Sequence, residues 1–501
     1  MSLPAPDARL PRDIAVVDVG SNSVRLVLYR LEGRAIWTVF NEKVLAGLGR
    51  GVEATGELAA EGVEEAMRAL RRFAAVVDGA RPAAVFTAAT AAVREAHDGR
   101  DFVRRVEYET GLKLRILTGE EEARYSALGV LAGTQVNEGV VGDLGGSSLE
   151  LVRVRDGTPE DGVSLPLGPF SLGAPRNFDA SAVRAQAQER LREIGRRFTT
   201  KHFHAVGGAW RTLALIHMEI AHYPLKIAHH YEMTARDLID TARFIAKQSK
   251  GSLERIEGVS KKRVETLPWA AMVVEALADA LGFERLWISA YGIREGMLLE
   301  SMSAETQNRD PLIEGCASLG ARQGVAEGLG PALASWLTPA FTALGPVFGG
   351  DRDAVLIEAA ARLADIGARL HPDHRADLAF AQVLRAPIAG QSHAERAFLA
   401  VAVHARYRGS VETPDADVIG RLLREERFDR ARALGLAMRL GCDLSGRTAS
   451  LLWQSRLEIE GERLLLTADS ARADMLLGEQ TAKRANALAD ALRLKFESRV
   501  A

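Results

Sequence analysis

Two cysteines in 501 residues, Cys316 and Cys442, leave no basis for a disulfide framework or a cysteine-rich metal site. They read as buried apolar thiols, and their scarcity points to a cytoplasmic protein. No apolar run approaches the ~20 residues of a membrane-spanning helix, so integral membrane association is not expected. The opening stretch MSLPAPDARLPRD has neither an apolar core nor a cleavage pattern, which argues against a secretory signal. A surplus of one charge is missing too, with 64 Lys and Arg against 66 Asp and Glu. That balance argues against nucleic acid as a partner, while still allowing a local basic channel for a small polyanion. Low-complexity segments and long linkers are absent. The length suits roughly three domains of ~150 residues, large enough to bury cores without covalent staples.

What the chain does have is a matched pair of hairpin signatures, DVGSNSVRL at 18–26 and DLGGSSLELV at 143–152. Each follows a short apolar run and places an Asp at a strand end, then a Gly/Ser-rich turn, then a second apolar strand. Gly and Asn tolerate positive φ, which suits a tight hairpin. Such a turn aims backbone N–H groups outward as an anion cradle, and an Asp beside it can hold Mg²⁺. One copy could be an ordinary turn. Two copies predict a duplicated domain whose halves close on one phosphate-bearing ligand.

The rest of the pattern agrees. IAVVDV, VRLVLYRL and AIWTVF read as three strands, Gly56–Asp78 as a helix, AAVFTAAT as a buried strand, Asp98–Tyr108 as a helix and LKLRIL as a strand. A helix follows from Glu120 to about Ala132. The order then resets: GVVGDL, SLELVRVRDG and the segment to Leu167 as strands, helix 180–198, strand HFHAVGG, long helices over 210–282, strand RLWISAY and helix IREGMLLESM. From Pro311 to about 445 the periodicity is helical, and the hairpin SRLEIEGERLLLT and a final helix close the chain. The domains predicted are 1–132, 133–308 and 309–501.

These halves resemble the actin, sugar-kinase and heat-shock-chaperone superfamily, with its ribonuclease H-like fold. Within it, five motifs resemble the exopolyphosphatase/guanosine pentaphosphate phosphohydrolase family: DVGSNSVRL, TAATAAVREA (87–96), TGEEEARYSALGV (118–130), DLGGSSLELV and SAYGIREGMLL (289–299). The fold class implied is α/β, with two duplicated actin-like domains followed by a mostly helical extension like that of HD-type hydrolases. The chain departs from the family pattern in places. Ser147 and Leu149 stand where a third glycine and a threonine are usual, Trp210 and Arg211 are bulky in VGGAWRT, and LADIG (363–367) keeps only Asp365 of a metal-binding His-Asp pair.

The resemblance implies Mg²⁺-dependent removal of terminal phosphate from inorganic polyphosphate, with Glu121 as the base that orients water. Thr118 and Glu121 also match a capping box, so the same residue fits either role, and Glu122 is assigned to structure. Asp143 and Glu150, on opposite arms of the second hairpin, are the metal candidates, with Asp18 facing them. Asn22, Ser23, Arg94, Gly145, Gly146, Ser147 and Ser148 are the phosphate ligands. Lys201, Lys247, Lys250, Lys261, Lys262 and Arg263 are candidates for a polyphosphate channel or a solvated helix face. His202, His204, His222, His229 and His230 match no metal-ligand spacing, and GLGRG (47–51) is too short for a dinucleotide fingerprint. The alternatives are a guanosine pentaphosphate (pppGpp) 5′-phosphohydrolase and a non-catalytic polyphosphate or nucleotide sensor. A homodimer is implied, with the helical extension as its interface.

Overall fold

The computed structural model of the chain describes residues 10–259 and 261–501, without the Lys262 side chain. Lys262 as a channel residue, and the first nine residues of the segment weighed as a secretory signal, thus lie outside the described residues. The chain divides into two compact units, Met1–Asn308 and Arg309–Ala501. No helix among the described residues is long and apolar enough to cross a membrane.

The first unit holds two sheets. One is built from β1 (Arg12–Val19), β2 (Val24–Glu32), β3 (Ala35–Val44) and β4 (Ala84–Ala89), in the order β3-β2-β1-β4. The other comprises β5 (Glu138–Leu144), β6 (Leu149–Arg155), β7 (Thr158–Pro159), β8 (Val163–Leu165), β9 (His202–Val206), β10 (Glu232–Thr234) and β11 (Arg285–Ser289). Its order is β10-β11-β9-β5-β6-β7, with β8 also on β6. The repeat is visible in the pairing: β1 is antiparallel to β2 and parallel to β4, as β5 is antiparallel to β6 and parallel to β9. Ile14, Ala15, Val16 and Val17 are all buried because both faces of β1 are covered, which explains a continuous rather than alternating apolar run.

Between the sheets lie the helices Gly119–Gly133 and Ile293–Glu300, which cross by direct backbone contact. A Cβ at Gly296 would fall 1.9 Å from the Tyr125 carbonyl oxygen, and one at Gly129 would fall 2.1 Å from that of Gly292. No side chain fits there, so glycine is required by approach rather than by φ.

Four expectations change. LKLRIL makes no strand; only the bridge Ala89–Ile116 forms. The Thr87 hydroxyl donates to the Lys113 carbonyl, occupying an acceptor that a ladder would need. The 180–198 helix stops at Arg192 and resumes as a 3₁₀ turn at Gly195–Phe198, where Gly195 lies against Ala280. The 210–282 region is interrupted by β10. The chain closes on a strand, β14 (Lys495–Val500), parallel to β13 (Arg463–Ala468), which pairs with β12 (Ser455–Glu460). The left-handed Arg493 ends the last helix and turns the chain back. The rest of the second unit is helical, from Pro311–Arg322 to Glu425–Leu444. Cys316 and Cys442 are buried free thiols.

Candidate active site

The two signature turns have the same construction. The Gly20 amide donates to the Ser23 carbonyl at 2.9 Å, and the Gly145 amide donates to that of Ser148 at 2.9 Å. None of the residues 20–23 or 145–148 has positive φ, so the glycines do not serve the backbone freedom expected of them. They serve close approach. A Cβ at Gly146 would lie 3.2 Å from the Ser21 Cβ, so the two turns face one another at van der Waals distance. GLGRG braces them both: the Gly49 amide donates to Ser21 at 2.7 Å, and a Cβ there would meet Ser147 Oγ at 2.8 Å. That loop carries no phosphate fingerprint, and its role follows from packing.

The turns roof a cleft of about 230 Å³, lined by Asn22, Ser23, Gly145, Gly146 and Ser148. Ser147 is buried behind this surface, and its carbonyl accepts from the Ser171 hydroxyl at 2.7 Å. The hairpin registers set the charges. Asp18 pairs across its hairpin with Arg25, and Asp143 pairs across its hairpin with Glu150. Directly opposed residues in a hairpin share a face, so each pair enters the cleft together. Duplication has thus produced one wall with a carboxylate and a cation, and another with two carboxylates.

The second wall is buried. Asp143 Oδ2 accepts from Ser126 Oγ at 2.6 Å, and Glu150 Oε1 accepts from Ser164 Oγ at 2.7 Å. Burial pushes Asp143 up to about 6 against the Ser126 hydrogen bond. Burial, followed by the charges of Glu122 and Asp143, holds Glu150 well above the usual carboxylate range. Asp18 instead carries an ion pair, Arg294 Nη1 to Asp18 Oδ2 at 2.7 Å. The sequence had grouped it with the metal candidates, yet its charge is already met by a guanidinium.

The largest revision concerns the adjacent glutamates. Glu121 completes the capping box: its amide donates to Thr118 Oγ1 at 3.1 Å, and its carboxylate accepts from the Thr118 amide at 2.9 Å. Its other oxygen pairs with Arg115, its side chain is 35 % exposed, and it does not line the cleft. Glu122, one residue on and so about 100° around the helix, does line it, with a side chain only 7 % exposed. Arg94 Nη1 donates to Glu122 Oε2 at 2.9 Å and to the Leu117 carbonyl at 2.9 Å. Arg94 therefore stands behind Glu122 rather than on the cleft surface. Burial raises Glu122 to about 7, with Arg94 opposing the rise. The cap was the available signal: with Thr118 as N-cap, Glu121 is committed to the cap and Glu122 is free to face inward.

Of the six channel candidates, Arg263 lines the cleft, and it donates to the Gly208 carbonyl at 2.6 Å. Lys201 pairs with Glu284 at 3.7 Å and Lys250 with Glu265 at 2.8 Å, and Lys247 and Lys261 are exposed away from the lining. The cations that do reach the cleft with Arg263 are Arg25, Lys43, Arg211 and Arg294. Lys43 lies opposite Arg25 in register. The surrounding protein, then Arg263, Arg25 and Arg294, push its ammonium down to about 7. Trp210 is fully buried, with its ring 5.4 Å from that of Phe203, so it neither gates the cleft nor offers a stacking face. Among the described residues, no three or more His, Cys, Asp and Glu side chains are grouped as a metal site would need.

With this geometry in place, comparison with known proteins is direct. The profile of the Ppx/GppA phosphatase family matches residues 27–305, and that of the exopolyphosphatase C-terminal region matches residues 323–497. Exopolyphosphatase 1 of Mycobacterium tuberculosis is 28% identical over 312 residues, which covers 58% of this chain and 89% of that protein. The Mycobacterium leprae protein of the same name is 27% identical over 313 residues, covering 58% and 90%. An Aquifex aeolicus Ppx/GppA family structure aligns with a TM-score of 0.51 at 24% identity, covering 60% of this chain and 100% of that one. A Cytophaga hutchinsonii exopolyphosphatase structure aligns at 0.53 and 21%, covering 57% and 96%, and these two likenesses establish the fold. Two facing Gly/Ser turns above buried carboxylates, on a duplicated actin-like scaffold with a helical C-terminal unit, are thus the frame of a phosphoanhydride hydrolase, and the chain belongs to the Ppx/GppA phosphatase family.

Proposed function

We propose that the protein is a Mg²⁺-dependent exopolyphosphatase that removes the terminal phosphate of inorganic polyphosphate. The observation that carries this is Glu122, a buried carboxylate that lines the cleft beside turn amides and five cations and is poised near neutrality. A general base is most effective with a pKa near the working pH. In this scheme the turn amides and hydroxyls of Asn22, Ser23, Gly145, Gly146 and Ser148 hold the terminal phosphoryl group. Glu122 takes a proton from the attacking water as its oxygen bonds to the terminal phosphorus. The bridging P–O bond breaks, releasing orthophosphate and a chain shorter by one unit. Arg94 keeps Glu122 in place, and Arg25, Lys43, Arg211, Arg263 and Arg294 meet the negative charge of the remaining chain. Polyphosphate also accords with the names of the mycobacterial relatives.

Asp143 and Glu150 are the residues that would hold Mg²⁺, directly or through water. They fit: two buried carboxylates share one face, and burial first, then neighbouring carboxylates, disfavours their charged forms, which a bound cation would restore. A pair rather than a larger cage suits Mg²⁺, which keeps waters and shares phosphate oxygens. When bound, the ion supplies charge neutralisation on the transferring phosphoryl group.

The test is phosphate release from long-chain polyphosphate and, separately, from guanosine pentaphosphate, each with Mg²⁺ or EDTA. Fast release from polyphosphate that EDTA abolishes is the expected result. Preference for the nucleotide would move the function to alarmone hydrolysis, for which Phe170 and Leu267 offer an apolar edge to the cleft. Release from neither would overturn the proposal.

A further inference from the structure

The helical unit contains an arrangement that the hydrolytic cleft does not explain. Asp365, just after the helix Gly350–Leu363, is buried and approached by two guanidinium groups: Arg406 Nη2 lies 3.5 Å from its Oδ1 and Arg447 Nε lies 3.3 Å away. Neither approach makes a hydrogen bond. Asp365 Oδ1, Arg406 Nε and Arg406 Nη2 are all buried without a hydrogen-bond partner. Arg406 is only 4 % exposed, and its remaining nitrogen is 4.0 Å from Asp443, which Arg484 already holds at 2.9 Å. Arg375 lies over the Tyr407 ring at 5.2 Å from its centroid, and Arg406 lies over the same ring at 5.0 Å. Burial, then the charges of Arg484, Arg406 and Arg375, lower the Arg439 pKa, with Asp443 opposing. Three guanidinium groups, Arg406, Arg447 and Arg484, thus approach two carboxylates, with Arg375 and Arg439 adding positive charge nearby, and the half-exposed Arg447 forms the side open to solvent.

Each buried polar atom without a hydrogen bond is a cost to the fold, and surplus like charge away from water adds to that. A ligand that relieves both must be an anion with several acceptor oxygens for the arginine forks. It must also donate one hydrogen bond, because Asp365 Oδ1 is an acceptor. Orthophosphate in its protonated forms has both, with oxygens for Arg406 and Arg447 and a P–OH for Asp365. Sulfate, fully ionised at neutral pH, lacks the donor and would set a bare oxygen against the carboxylate. We propose that the cluster of Asp365, Arg406 and Arg447 is an orthophosphate-binding site that rejects sulfate.

The test is equilibrium dialysis of labelled orthophosphate against the full-length protein, with sulfate as competitor. Wild type should hold a phosphate that a tenfold excess of sulfate does not displace. Arg447→Ala should lose that phosphate, with affinity falling about tenfold or more, since a charge-assisted contact is removed. Asp365→Asn should bind sulfate and phosphate alike. Should Asp365→Asn fail to fold by circular dichroism, Arg447→Ala decides, because its side chain is half exposed. Displacement by sulfate in the wild type would overturn the proposal. So would a sulfate-resistant phosphate surviving in Arg447→Ala, which would belong to the hydrolytic cleft instead. Binding alone is read, so the outcome is independent of whether the cleft hydrolyses polyphosphate.

Discussion

Replacing Glu122 by Gln separates the two adjacent glutamates. The amide keeps the volume and an oxygen for Arg94, but it cannot accept the proton of water. Removing a positioned general base costs about 10²–10⁴-fold in turnover. At 1.36 kcal/mol per tenfold, that is about 3–5 kcal/mol of transition-state stabilisation. The folded protein should respond in the opposite direction. Burial raises the Glu122 pKa from 4.5 to about 7, so between those values the native state binds more protons than the unfolded chain. Stability therefore falls as pH rises through that window, and above it the charged carboxylate is a net cost of about 1–3 kcal/mol. Glu122→Gln removes that cost, so at pH 8 the variant should melt higher than wild type while hardly turning over. Glu121→Gln should do the reverse. Its capping box and Arg115 pair are weakened, which costs about 0.5–1 kcal/mol, with kcat within a few-fold of wild type. Phosphate release and thermal melts at pH 6 and pH 8 on both variants provide the check. A Glu122→Gln protein with near-wild-type kcat, or a Glu121→Gln protein that is folded and inactive, would refute the assignment.

Three further outcomes are expected. kcat/KM should rise with pH as Glu122 ionises near 7 and fall as Lys43, also near 7, loses its proton; in Lys43→Arg, whose charge persists, the alkaline limb should flatten. Gly296→Ala puts a methyl group 1.9 Å from the Tyr125 carbonyl oxygen, so the crossing helices must separate. A loss of at least 1–3 kcal/mol in a denaturant melt is expected, with turnover falling because Glu122 and Arg294 ride on those two helices. Trp210→Phe should lower stability through lost packing yet leave KM for polyphosphate unchanged; a shifted KM would return Trp210 to the cleft.

The duplication was legible in the chain because the turn chemistry and the flanking apolar runs are local, and they recur in the same order. Asp143 and Glu150 could be placed on one face from hairpin geometry alone, since strand register converts spacing into facing. The arginine and lysine set could not be found this way. Lys250, in a conspicuous basic stretch, and Lys201, outside it, both pair with nearby acids. Lys43 and Arg211, unremarkable in sequence, are carried into the cleft by strand order and by the helix after Gly207. The glutamate pair failed for a subtler reason: the motif locates two acids, and helix phase then divides them by about 100°.

Local chemistry was enough for the family, the α/β order and the carboxylate pair, because periodicity, turn residues and caps act within a few residues. Which glutamate faces the cleft, which cations line it and why its glycines are needed follow from long-range packing. Gly129 and Gly296 hold two helices at backbone contact, and Gly49 and Gly146 let two distant turns meet. Those distances depend on surfaces far apart in the chain, and no local pattern encodes them.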